Sequence, residues 1–165
     1  MKTNLGTDIP DDLIALIAPD NGLENRLALL NSLIQPANAG ELIKLAALAE
    51  EEISTFLARY LAHSAHANDN ATKIGKNATF DQKIQALNHI LPKLDADQTH
   101  YEGHIQFLNA LRKLRNTAAH SSGLDLKDAK KHASDPMICS ITANFPNALW
   151  EKVTALRDYL LTLPL

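Results

Sequence analysis

Apolar residues recur every three or four positions along most of this chain, a spacing that is typical of helices with one buried face. No stretch alternates apolar and polar residues as a half-buried strand does. Aromatic residues make up only 5% of the chain, so leucine, isoleucine and alanine must supply most of the core. We therefore predict an all-α fold, an up-down helical bundle with additional short N-terminal helices.

Proline, glycine and capping residues divide the chain into separate helices. The clearest start signals are two capping boxes, one at Asn21–Glu24 and one in which Thr79 precedes Gln82. Loops are predicted at Ser64–Asn77 and through Pro136. The predicted helices, with approximate bounds, are Leu13–Ala18, Leu23–Ile34 before Pro36, Glu41–Ala65, Phe80–Leu91 before Pro92, Asp97–Ala119, Leu126–Ala133 and Pro146–Leu160 before Pro164.

The length and composition are those of one domain with a substantial core. The chain has 165 residues, of which 45% are hydrophobic. We predict a single helical domain over residues 1–165, with residues 1–38 as an N-terminal helical extension and residues 39–165 as the bundle core.

The charge balance excludes a protein whose whole surface attracts nucleic acid. The formal net charge is −3 and the isoelectric point is near 6.1. Any contact with RNA must therefore be local. The single Cys139 and the lack of an apolar stretch long enough to cross a bilayer lead us to expect a cytoplasmic protein without membrane contact.

Two histidine pairs raise the question of a metal site. His100 and His104 are one helical turn apart, and His63 and His66 lie near a predicted helix end. No cysteine accompanies them, and no acidic residue recurs at ligand spacing. We expect neither a metal nor another cofactor, and we expect His104 to pack in the core.

Arg115 is the most informative residue of the chain because it interrupts an apolar stripe. At 100° per residue, Phe107, Leu111, Leu114 and Ala118 share one face of a helix, and Arg115 lies within about 40° of Leu111. A guanidinium cannot lose its proton to escape burial. Arg115 therefore requires a carboxylate, a phosphate, backbone carbonyls or a water-filled groove.

Glu50 is the candidate partner that would make Arg115 purely structural. It lies at the edge of the apolar stripe of its own helix, about 60° from Ile53. A pair between Glu50 and Arg115 would neutralise both charges in the core. The alternative is that Arg115 lines a wet groove and binds an anion.

His120 follows Arg115 by five residues and supplies a proton-transfer group near neutral pH. Residues five apart point about 140° apart on a helix, so the two side chains do not share a face. Either the helix ends near Ala118 and His120 turns back, or a second chain completes the site. Asn116 and His120 do share a face, with Arg112 one turn earlier.

Three cations lie within four residues of this segment. Arg112, Lys113 and Arg115 could contact the phosphates of an RNA backbone, and Arg112 shares a face with Asn116 and His120. Cations near a helix C-terminus also interact favourably with the helix dipole, and for Lys113 we favour that explanation.

The segment Arg115-Asn116-Thr117-Ala118-Ala119-His120 resembles the motif of the HEPN superfamily, an arginine followed by four to six residues and a histidine. The resemblance implies a four-helix bundle, usually dimeric, and often a metal-independent ribonuclease with both motifs in one cleft. Toxins of this superfamily that a partner nucleotidyltransferase modifies carry a tyrosine two residues after the histidine. Ser122 occupies that position here, so the chain departs from that subfamily.

A second resemblance covers Leu111–Ser121, which is similar to a stretch of the mannitol operon repressor family if one residue of spacing is relaxed. The segment Asp125–Cys139 resembles the continuation of that stretch only faintly. This resemblance implies a regulator without catalysis.

The leading hypothesis from the sequence is a HEPN-type endoribonuclease, acting as a toxin or antiphage effector and held in check by a cognate neutralising protein. His120 would act as the base, Arg115 would hold the phosphate and Asn116 would orient His120 or bridge a homodimer. The alternatives are a noncatalytic regulator or antitoxin-like binding module, and a structural bundle in which Glu50 neutralises Arg115.

Overall fold

The computed structural model describes residues 21–63, 77–119 and 126–165, and these residues form helices and short connections with no β-strand among them. The prediction of an all-α helical bundle is confirmed. The helices in chain order are α1 (Asn21–Ile34), α2 (Pro36–His63), α3 (Phe80–Leu94), α4 (Gln98–Ala119), α5 (Leu126–Ala133), α6 (Pro136–Ala143) and α7 (Asn147–Thr162). The predicted helix at Leu13–Ala18 and nearly all of the predicted loop at Ser64–Asn77 lie outside the described residues.

The helices form two compact units, and no single cut in the sequence separates them. The described part of the first unit comprises residues 21–44, 113–119 and 126–149, and that of the second comprises residues 45–63, 77–112 and 150–165. In the first unit, α1 packs against α5 and α6, which also contact each other. Residues of α1 are thus an integral part of a packed unit, and the predicted division at residue 38 stays a prediction.

Helix α2 begins at Pro36, five residues earlier than the periodicity predicts. Proline suits the first turn of a helix because its missing N–H has no partner there in any case. Gly40 does not interrupt the helix, and no atom lies close to the position that a side chain would take there.

Helix α3 has the predicted capping box and a later end than predicted. The Gln82 N–H donates to Thr79 Oγ1 at 3.3 Å, and the Thr79 N–H donates to Gln82 Oε1 at 2.8 Å. The helix continues through Pro92 to Leu94. Proline removes one backbone donor, but here the helix retains its last turn, in which the Asp95 N–H donates to Leu91 O.

Helix α6 is an element that the sequence analysis missed. It begins at Pro136, where the predicted loop ends, and it covers residues for which no element was predicted. Asp135 caps it, with Oδ1 accepting the N–H groups of Met137 at 3.0 Å and Ile138 at 3.4 Å. The Asp-Pro dipeptide is itself a helix-start signal, and it could have found this helix.

Aliphatic side chains make up most of both cores, as the composition predicts. In the first unit the buried residues include Leu27, Leu30, Leu33, Leu42, Leu114, Ala129, Ala133, Ile138, Ile141 and Leu149. In the second they include Leu45, Ala49, Ile53, Phe56, Phe80, Ile84, Leu87, Leu91, Phe107, Leu108, Leu111, Val153, Leu156 and Leu160. No helix among the described residues is long and apolar enough to span a membrane.

Candidate functional site

The predicted apolar stripe of α4 is present. Phe107, Leu111 and Leu114 are almost fully buried, and Ala118 is half-buried. Arg115 is also half-buried, between the core and the surface, whereas Asn116 next to it is exposed. The arginine therefore lies at the boundary between the core and the surface.

His120 lies outside the described residues. The described helix α4 ends at Ala119, the residue before it. The convergence of Arg115 and His120, within one chain or across a dimer, thus stays a prediction. Asn116 lies in the last turn of α4, where its exposed amide can reach a ligand.

Arg112 is held by a carboxylate of α3. Its Nη1 donates to Oδ1 of Asp81 in the first turn of that helix, within the second unit. The Arg112 Nε is buried and has no hydrogen-bond partner. The ion pair therefore orients Arg112 and occupies only part of its hydrogen-bonding capacity.

Lys113 is likewise held by a carboxylate, that of Asp135 before α6. The Lys113 Nζ lies 3.2 Å from Asp135 Oδ2, within the first unit. Burial would raise the pKa of Asp135, but its hydrogen bonds with Lys113, Ile138 and Met137 together hold that pKa below its ordinary value. Asp135 is therefore a stable anion that both caps α6 and anchors Lys113.

His132 of α5 lies beside α4, and the sequence analysis did not select it as a candidate site residue. Its Nε2 lies 3.5 Å from Oγ1 of Thr117, and that hydroxyl donates to the backbone carbonyl of Lys113 at 3.0 Å. The His132 Nδ1 is buried. Four side chains, those of Lys113, Thr117, His132 and Asp135, thus connect the end of α4 to α5 and α6.

The environment of His132 favours its neutral form. Burial lowers its pKa most, and the Lys113 ammonium lowers it further, whereas Asp128 and Asp135 act in the opposite direction. The net shift is downward, so the ring is neutral at pH 7.

Glu50 has a partner that the sequence analysis did not consider. Its Oε1 accepts a hydrogen bond from the Lys83 Nζ of α3 at 2.8 Å, and Lys83 is only 7% exposed. Lys83 lies one turn before Leu87 on the apolar stripe of α3, so the signal that singles out Arg115 could also have found Lys83. The predicted pairing of Glu50 with Arg115 stays a prediction.

His104, which was predicted to pack in the core, is half-buried in the second unit. Its ring stacks on Tyr159 of α7 with centroids 4.5 Å apart and planes 18° apart. Burial lowers the pKa of His104, and electrostatic interactions with His100 and Lys152 lower it further. The Tyr159 hydroxyl donates to Asp95 Oδ2 at 2.9 Å. Within the described ranges, no three histidine, cysteine, aspartate or glutamate residues are grouped so that they could hold a metal ion.

Comparison with known proteins gives no match, since no family model fits this chain and no curated protein or solved structure is significantly similar to it.

Proposed function

We propose that this protein is a metal-independent endoribonuclease of HEPN type. One observation supports the proposal above the others. Arg115 is half-buried near the end of the 22-residue helix α4, beside an exposed Asn116 and five residues before His120. A guanidinium held at the edge of a core, with a histidine five residues later in the sequence, suits the binding and cleavage of a phosphodiester.

The proposed reaction needs no external nucleophile. His120 takes the proton of a ribose 2′-OH, and the 2′-oxygen attacks the adjacent phosphorus as the bond to the 5′-oxygen breaks. Arg115 binds the phosphate and stabilises the charge that develops on its oxygens. The products carry a 2′,3′-cyclic phosphate and a 5′-hydroxyl. The proton for the leaving 5′-oxygen comes from His120 of a second subunit.

Arg112 and Lys113 already form ion pairs with carboxylates, and this changes the role in RNA binding that we propose for each of them. Phosphates would compete with Asp135 for Lys113 and with Asp81 for Arg112. The guanidinium of Arg112 has more donors than its bond to Asp81 uses, so it can bind a phosphate while it stays paired. We therefore assign Arg112 the larger share of backbone binding, and Lys113 the smaller share.

The experiment that tests this proposal is RNA cleavage by the purified protein in the presence of EDTA. We expect cleavage of cellular RNA with 2′,3′-cyclic phosphate ends, and we expect His120→Ala and Arg115→Ala to slow it by at least about 100-fold. His100→Ala is the matched control, because His100 is an exposed histidine on the same helix α4. Circular dichroism checks that each variant is folded. Equal loss of cleavage in His100→Ala would contradict the assignment.

The second candidate function is a noncatalytic regulator or antitoxin-like binding module. The observation in its favour is that carboxylates already pair with Arg112 and Lys113, as expected if these two cations have a structural role. This function predicts no cleavage of any cellular RNA by the wild-type protein, including in phage-infected cells. It also predicts that expression of the wild-type protein and of His120→Ala affects growth equally, whereas a toxin or antiphage effector would lose its effect with His120.

A further inference from the structure

The last turn of α4, residues 116–119, buries little apolar surface in the first unit. Leu114 is the last residue of this helix whose side chain is fully buried. Of the four residues in the turn, two are exposed and two are half-buried. Because apolar burial is the main force that holds a helix in place, the position of this turn depends on its polar contacts.

One such contact is with the ring of His132 on α5. The His132 Nε2 lies 3.5 Å from Oγ1 of Thr117, which is long for a hydrogen bond, so the contact is weak and easily broken. The fully buried side chains that the structure describes in α5 are those of Ala129 and Ala133, and each is a single methyl group. These two alanines therefore add little to the packing of α5.

Charged groups surround the His132 ring. Those that act on it are Lys113 of α4, Asp128 of α5 and Asp135 before α6. Helices α1 and α6 also pack against α5; α1 carries Glu24 and Arg26, and α6 carries no charged residue. Burial lowers the pKa of His132 most, and the Lys113 ammonium outweighs what the two carboxylates restore. A proton therefore binds more tightly to a histidine ring in water than to this ring in its place against Thr117.

Acid thus favours states in which the His132 ring leaves Thr117 and reaches water. The last turn of α4 can open without unfolding the core, because none of its side chains is fully buried. We propose, on the basis of the function proposed above, that His132 regulates the ribonuclease site. The neutral ring keeps this turn on α5, whereas the protonated ring releases the turn and slows cleavage.

The position of the turn also predicts which kinetic constant changes. Arg115, the proposed phosphate-binding residue, follows the buried Leu114 and precedes the turn that opens. Asn116 lies in the turn, and His120 follows it directly in the sequence. Release of the turn therefore disturbs proton transfer more than phosphate binding, so kcat decreases and KM changes little.

The first experiment measures RNA cleavage in the presence of EDTA between about pH 5 and 8. Protonation of His120, the proposed base, gives log kcat a slope of about 1 on the acid side, and a second protonation that slows cleavage makes the slope steeper. We expect the steeper slope in the wild type and a slope of about 1 in His132→Gln, whose amide stays neutral and can still bond to Thr117. His89→Gln, which replaces an exposed histidine of α3, is the matched control and retains the wild-type slope.

The second experiment tests the contact at a single pH. His132→Arg carries a charge at every pH, and Thr117→Val removes the hydroxyl without adding a charge. At pH 7.5 we expect each variant to lower kcat at least about tenfold, with KM nearly unchanged. Thr117→Ser retains a hydroxyl and recovers most of kcat, and His89→Arg is the control for the added charge. Circular dichroism checks folding, and wild-type kcat in both His132→Arg and Thr117→Val overturns the proposal.

The third experiment follows the turn independently of cleavage. We expect the protection of the amides of residues 116–119 against hydrogen exchange, corrected for the intrinsic effect of pH, to decrease between pH 7.5 and 5.5 in the wild type and to persist in His132→Gln. Wild-type protein that cleaves no RNA at any pH contradicts the proposed function. Active protein with the same acid slope in the wild type and in His132→Gln, or with protection that persists at pH 5.5, overturns the regulation by His132 alone.

Discussion

Lys113 and Asp135 are joined by an ion pair of 3.2 Å between Nζ and Oδ2, and the other oxygen of the same carboxylate caps α6. Sixteen residues separate the end of α4 at Ala119 from the start of α6 at Pro136. One carboxylate thus links these two helices. This relationship makes the end of α4 depend on α6.

Replacement of Asp135 tests this link. Asp135→Ala removes the cap of α6 and the partner of Lys113, and we expect it to lower the free energy of unfolding by about 1–2 kcal/mol. Lys113→Met removes only the ion pair, which is partly exposed, so it should cost about 0.5 kcal/mol or less. Urea unfolding measures both variants, with the exposed Glu102→Ala as the control. Equal costs for Asp135→Ala and Lys113→Met would show that the cap contributes nothing.

The pair of Lys83 and Glu50 predicts a strong coupling in the second unit. Lys83→Met removes the ammonium that contacts Glu50 Oε1, whereas Lys83→Met combined with Glu50→Leu removes both charges. We expect the single variant to cost about 3 kcal/mol or somewhat less, and the double variant to recover most of it. A parallel cycle with Arg115→Met and Glu50→Leu measures the pairing that the sequence predicts. Additive costs in the Lys83 cycle would show that the contact contributes no stability.

Acid should destabilise the protein through His132. Burial and Lys113 lower its folded pKa below the value near 6.5 of the unfolded chain, so the unfolded chain binds more protons between these two values. The contribution of the neutral His132 to the free energy of unfolding is therefore fully present above pH 6.5 and decreases as the pH falls below that value. Unfolding free energies at pH 7.5 and 5.5 measure this loss, which should be smaller in His132→Gln than in the wild type. His89→Gln, which removes an exposed histidine, should retain the wild-type loss, and a His132→Gln variant that retains it too would refute the prediction.

The hydroxyl and the ring of Tyr159 should contribute separately. Tyr159→Phe keeps the stack on His104 but removes the hydrogen bond to Asp95, so we expect a cost of about 1 kcal/mol. Tyr159→Leu also removes the stack and should cost more. Thermal unfolding followed by circular dichroism compares the two variants. A Tyr159→Phe variant as stable as the wild type would mean that water replaces the bond at no cost.

The sequence by itself determined six of the seven described helices and several of their ends. The capping box of Thr79 and Gln82 and the buried positions of α4 were predictable, because caps and apolar stripes depend on residues within four positions of each other. The errors in the predicted helix bounds also concern signals within a few residues of a helix end. Pro36 and Pro136 were treated as boundaries, although both occupy the first turn of a helix, where proline is favoured.

Only the tertiary structure decided which charges meet. The partners of Glu50, Arg112 and Lys113 lie 33, 31 and 22 residues away in the sequence, on other helices or at their caps. Helical periodicity states which face a side chain occupies, but not which element covers that face. His132 is an example, because nothing near it in the sequence indicates that it contacts Thr117 or that its pKa is lowered. Burial and the charges around a side chain set its pKa, and both arise only when distant segments pack together.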